Sequence, residues 1–187
     1  MKKILLVAVA FLGTWGAQAQ MKINGVTLEK NLTVDGEELI LNGAGMREKL
    51  WFDLYVGALY LKSKTEDGEK VLKADEHMAI VLVITDDKVT QKKLEDAVED
   101  GFEDSCTDKE RAAIKSEINQ LLALLKDPIK EGHHFEFAYV PNKGTMISKN
   151  GKNLGTIKGL AFKKAFFGIW LGEDPADRDL KEAMLDQ

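Results

Sequence analysis

Apolar and polar positions follow a strand-like period at first, switch to helical spacing, return to alternation and end helical. Lys22 to Leu28 and Leu32 to Val34 read as short strands, and Asp35-Gly36 as a hairpin turn. Glu38 to Asn42 carries the sheet on to Gly43 and Gly45, a glycine pair that predicts a turn. From Lys49 to Lys62 a long strand bears large side chains on both faces, so each face is buried or lies against a cavity. Thr65 to Lys73 predicts a short helix and Met78 to Thr85 a strongly apolar strand. Leu94, Ala97, Val98 and Phe102 then recur at helical spacing over Thr90 to Glu103, with Thr90 as N-cap. Asp108 to Lys126 repeats the pattern through Ile114, Ile118, Leu121 and Leu125, and Pro128 ends it. Phe135 to Val140, Gly144 to Lys149 and Lys152 to Ile157 alternate again, joined by Pro141-Asn142-Lys143-Gly144 and Asn150-Gly151. Gly159 to Leu171 and Asp177 to Leu185 close the chain as helices.

This order lacks the regular strand–helix alternation of a doubly wound fold. It predicts an α+β architecture, an antiparallel sheet with helices gathered on one face. The natural ligand site of such a fold lies between sheet and helices, where both inner faces are apolar. No repeat, low-complexity segment or Pro/Gly/Ser-rich linker divides the chain.

The first residues carry a different signal. Lys2 and Lys3, the apolar run Ile4 to Leu12 and the small-x-small triplet Ala17-Gln18-Ala19 predict a secretory leader cut after Ala19. The run is shorter than the roughly 20 residues a membrane span needs, and no cysteine sits at the cut to take a lipid. The expectation is an exported protein, periplasmic or secreted, of bacterial origin, with residues 20–187 as a single domain. The leader would take two of the 26 basic residues with it, leaving 24 against 31 acidic ones, a net charge of −7. Such a balance argues against a nucleic-acid partner and suits the chain poorly to docking on anionic lipid headgroups. Cys106 is the only cysteine, so no internal disulfide forms and packing must supply the stability. It reads as an inert thiol, because Glu103, Asp104 and Asp108 lack the positive charge that activates a nucleophile.

The candidate chemistry centres on Arg47, which stands between the glycine pair and the two-faced strand. At the rim of an apolar cavity its planar cationic fork suits a carboxylate or an enolate. The structural alternative is an arginine tied to a carboxylate such as Asp53. Tyr55 shares a face with Arg47 if no bulge intervenes, whereas Tyr60 does not. Other signals are weak. Gly43-x-Gly45 lacks the third glycine and the following helix of a dinucleotide loop. His133 and His134 are consecutive, so on entering a strand they point to opposite faces. No HExxH or CxxC pattern points to zinc, and no metal or cofactor is expected. The acidic run from Glu95 to Asp104 repeats every four residues, the wet face of an amphipathic helix.

Asn42-Gly-Ala-Gly-Met-Arg47, Tyr55-Val-Gly-Ala-Leu-Tyr-Leu61, Gly101-Phe102 and Phe166-Phe-Gly-Ile-Trp-Leu-Gly-Glu-Asp-Pro175 together resemble the chalcone isomerase-like family. The resemblance covers nearly all of residues 20–187. It implies an open-faced β-sandwich, a large antiparallel sheet with a helical layer on one face and a cleft between them. Its members include enzymes that cyclise chalcones, fatty-acid-binding proteins and proteins without known catalysis. Carried over residue by residue, the family's arginine matches Arg47, its threonine falls at or near Tyr55, and its lysine matches Lys92. Its tyrosine, asparagine and late hydroxyl positions are taken by Val89, Asp96 and Ile169, so most of the polar network is missing. With the leader pattern indicating export, the resemblance implies a non-catalytic protein that binds a fatty acid or similar small amphipathic acid through Arg47, Tyr55 and Lys92. Three other readings stay open: an isomerase or lyase that uses Arg47 to stabilise an enolate, an envelope interaction protein without ligand, and a haem protein. The second of these would fill its core with Trp51, Phe52, Phe162, Phe166 and Trp170, and the third would draw on His77, His133 and His134.

Overall fold

The computed structural model describes residues 20–49 and 51–187, so the expected leader lies outside the described residues. Among the described residues nine strands and six helices follow one another as β1 (Gln20–Ile23), β2 (Val26–Glu29), β3 (Asn31–Val34), β4 (Glu37–Lys49), β5 (Phe52–Leu61), α1 (Gly68–Lys73), β6 (Met78–Ile84), α2 (Gln91–Ser105), α3 (Asp108–Ala113), α4 (Lys115–Leu124), β7 (His134–Val140), β8 (Gly144–Lys149), β9 (Lys152–Ile157), α5 (Leu160–Leu171) and α6 (Arg178–Met184). Strands β3 to β9 form one seven-stranded sheet in sequence order, every neighbour antiparallel. Helices pack on one face of it. The result is the α+β architecture that the element order predicts. No helix among the described residues is long and apolar enough to cross a membrane.

Both faces of the sheet are buried, as the composition of β5 requires. Tyr55, Leu59 and Leu61 point into the core under the helices, with Leu82, Phe137, Phe166 and Trp170. Val56, Ala58 and Tyr60 point the other way, into a second core with Leu39, Val81 and Leu28. The β1–β2 hairpin covers part of that second face, and the Tyr60 hydroxyl anchors it by donating to the Glu29 carbonyl at 2.9 Å. Under the helices Lys163 of α5 is fully buried. Its ammonium donates to the carbonyls of Val71, Leu72 and Ala74 at 2.7–3.0 Å, satisfying the last turn of α1.

Four local expectations need correction. The first strand is split by Asn24-Gly25, both at positive φ, into the β1–β2 hairpin. The glycine pair makes no turn: β4 runs through it unbroken, with a register shift between Leu41 and Gly43. A Cβ on Gly43 would lie 2.2 Å from the Ala183 carbonyl oxygen, and one on Gly45 2.6 Å from the Ala183 Cβ. These glycines are missing side chains, not hinges, and α6 lies in the space they leave. The segment expected as one helix from Asp108 to Lys126 breaks at Ile114 into α3 and α4. Finally, Trp51 is 92% exposed and Phe52 37%, so neither fills the core. They sit where β4 turns into β5.

Candidate functional site

A cavity of about 410 Å³ opens between α2 and the sheet. Its floor comes from β5 and β6 through Leu54, Tyr55 and Leu82, its roof from α2 through Leu94, Ala97 and Val98, and its far wall from α5 through Ile169 and Trp170. Arg47, Lys49 and Phe52 contribute from the β4–β5 hairpin, Lys88 and Val89 from the loop before α2. The volume falls in the range of small-molecule sites.

The polar centre of this wall arises from strand pairing. Arg47 and Tyr55 are direct partners across the β4–β5 ladder, and side chains of directly paired residues leave the sheet on one face. Arg47 Nη1 donates to the Tyr55 hydroxyl at 3.3 Å, and its guanidinium carbon stands 5.7 Å from the ring centroid. From the opposite side the Trp170 indole N–H donates to the same hydroxyl at 2.9 Å. With two bonds accepted, the Tyr55 oxygen has its own proton left to donate. No acceptor for it lies within reach among the described residues, and no carboxylate pairs with Arg47 among them. Asp53, the partner weighed for Arg47, instead accepts from Asn24 Nδ2 at 2.8 Å. The site therefore presents a cation and an oriented O–H to whatever enters, an arrangement suited to an anion.

Lys92 stands apart from these two. Its side chain is largely exposed and pairs with Asp96 one helical turn on, and the neighbouring Lys93 lines the cavity in its place. One residue along a helix rotates a side chain by about 100°, enough to move it off the wall. Val89, Asp96 and Ile169, the residues that the resemblance sets at polar positions, all lie on the wall, the first and last as apolar surface. Trp170 is the residue that sequence reasoning missed, having been assigned only to core filling. Its signal lay in chemistry: a buried indole N–H needs an acceptor, and Tyr55 carries one.

The remaining candidates do not form a site. His133 Nδ1 accepts from the Lys130 backbone N–H at 3.2 Å within its turn, and burial holds the half-buried His134 below the usual imidazole range. Among the described residues no three His, Cys, Asp or Glu side chains gather as a metal cluster would. Cys106 donates to the Phe102 carbonyl at 3.0 Å, and burial, with Glu110 next, pushes its thiol up.

A family model described as chalcone isomerase-like matches residues 20–186. Among solved structures, the crystal structure of a fatty-acid binding protein of Arabidopsis thaliana is similar in fold. It has a TM-score of 0.72 and 15% identity, and the match covers 90% of this chain and 96% of that one. No curated protein matches the sequence.

Proposed function

Because the chain belongs to the chalcone isomerase-like family, we propose that it is a non-catalytic carrier of a fatty acid or similar small amphipathic acid. The observation that supports this most is the Arg47–Tyr55–Trp170 arrangement: among the described residues, a guanidinium without a carboxylate partner and a hydroxyl whose proton has no acceptor, at one end of a cavity whose walls are otherwise mostly apolar. A carboxylate would accept from both Arg47 and Tyr55, and an alkyl tail would lie between Val98, Leu82 and Ile169. Lys93 takes the place of Lys92 beside the headgroup. The name of the plant neighbour agrees with this choice of ligand, although at its low identity it speaks for the fold alone.

Catalysis is the weaker reading on the same geometry. Isomerisation needs a held near-attack pose and stabilisation of the charge that develops. Arg47 and Tyr55 supply charge stabilisation, but Val89 and Ile169 have no polar atom with which to orient a substrate. We further propose that the protein is a bacterial exported domain of residues 20–187.

One preparation tests both parts. Purified from the exported fraction, the protein should begin at Gln20, and solvent extraction followed by mass spectrometry should release a fatty acid in stoichiometric amount. Arg47→Ala should lose that ligand, by roughly tenfold or more in affinity if a charge-assisted pair is removed. An empty wild-type protein that takes up no added fatty acid would end the carrier proposal. Arg47-dependent turnover of an added chalcone would replace it with the enzyme reading.

A further inference from the structure

We propose that the turn between β4 and β5 is a docking tip for a bilayer surface that contains anionic phospholipid, and that it sets the cavity mouth against that surface. The inference rests on the carrier reading for its purpose but on separate residues for its geometry.

Trp51 is the most exposed large apolar side chain among the described residues, at 92%, and Phe52 beside it is 37% exposed. Such a pair in water is unfavourable, and folding does not require it, since Trp51 packs into neither core. The pair stands at the cavity: Phe52 lines its mouth, with Lys49 as its direct partner across the hairpin. The Lys88 ammonium lies 4.1 Å from the centre of the Phe52 ring, so Lys49 and Lys88 flank the aromatic pair, while in the next rung Glu48 faces Asp53, whose carboxylate accepts from Asn24.

The charges favour a lipid surface over another protein. The whole chain has 26 basic and 31 acidic residues, yet the cavity wall reverses the balance, with Arg47, Lys49, Lys88 and Lys93 against Asp96 and Asp100. Asp96 is already taken by Lys92, and Asp86 shares Lys88 at 3.2 Å. Along α2 the lysines sit at the end that begins next to Lys88, while the carboxylates from Glu95 to Asp104 run away from it. A negative surface would therefore attract this end and repel the rest of the helix, which orients the molecule tip first. An indole prefers the headgroup layer, and lysine ammonium groups reach phosphates from the same depth. An amphipathic acid leaving the cavity there would enter the bilayer without crossing water.

The test is co-sedimentation of the chain from Gln20 onward, which contains every described element, with vesicles. Vesicles of phosphatidylglycerol and phosphatidylcholine in equal parts should carry the protein down, and added salt should release it. Trp51→Ser should weaken that partition roughly tenfold, the effect of withdrawing one large aromatic side chain from an apolar layer. Because Trp51 is exposed, this variant keeps its unfolding midpoint, which a thermal melt checks. Lys49→Glu should weaken binding to the mixed vesicles only. The proposal is overturned if the wild type stays in the supernatant, if it binds phosphatidylcholine alone equally well, or if Trp51→Ser sediments like the wild type. Fatty-acid uptake measured without vesicles reports on the carrier reading by itself, so either idea can fail while the other stands.

Discussion

Helices α6 and α2 lie over the same sheet, and only one of them leaves a gap. Under α6 the sheet offers Gly43, Gly45 and Gly57, and the helix settles onto backbone: any Cβ there would meet Ala183 or Leu180 within 3.1 Å. Asn42 seals the contact, donating to the Met184 carbonyl at 2.8 Å and to the Thr65 carbonyl at 3.0 Å. Under α2 the sheet presents Tyr55 and Leu82, full-sized side chains, and the helix has its own small residue on another side. Gly101 meets Ile169 of α5, where a Cβ would lie 2.7 Å from Cγ2. α2 is thus drawn close to α5 and held off the sheet by Leu94 and Val98, and the cavity is the space that remains. Closed and open contacts differ in where glycines fall, because interiors close-pack wherever backbone can approach and stay apart wherever side chains meet tip to tip.

That contrast can be broken from either side. Gly43→Ala should have the largest effect, since the Ala183 and Met184 carbonyls that it meets are backbone and cannot swing aside. A loss of about 3 kcal/mol in chemical denaturation is expected from the overpacking. A loss below about 1 kcal/mol would show that α6 floats over the sheet instead of resting on it.

The face of β5 turned away from the cavity carries a buried hydroxyl of its own, that of Tyr60. Burial, reinforced by the Glu29 and Glu136 carboxylates, pushes the Tyr60 phenol up to about 12. An unfolded chain releases a phenolic proton at about 10, so the folded state retains it to higher pH. The stability tied to the neutral phenol is complete below that value and is lost as the pH climbs towards the folded one. Tyr60→Phe should flatten this part of the alkaline denaturation profile. An unchanged profile would place the titrating group elsewhere.

The smallest stability change should come from filling the open contact. Ala97→Phe puts a ring into the cavity roof and should alter stability by no more than about 1 kcal/mol, in either direction. It should nevertheless abolish fatty-acid uptake. Retained uptake would mean that the ligand lies elsewhere in the molecule.

Much of this protein is determined by its sequence alone. The two-period pattern sets the elements, Thr90 caps its helix where capping chemistry predicts, and Asp35-Gly36 and Asn150-Gly151 turn their hairpins. These are local properties, decided by dihedral preferences and by hydrogen bonds between near neighbours. Arg47 and Tyr55 share a face, but not through the unbroken alternation expected of one strand: they lie on two arms of a hairpin with a register shift between Arg47 and Glu48, and cross-strand pairing brings them together. What Gly43 and Gly45 do was not legible, because a glycine that bends a strand and one that admits a helix look the same until a residue some 140 positions away arrives. The same holds for Trp51 in solvent, for Lys93 in the place of Lys92, and for the hydrogen bond from Trp170. Each depends on which surfaces meet when α2, α5 and α6 settle on the sheet, and long-range packing alone decides that.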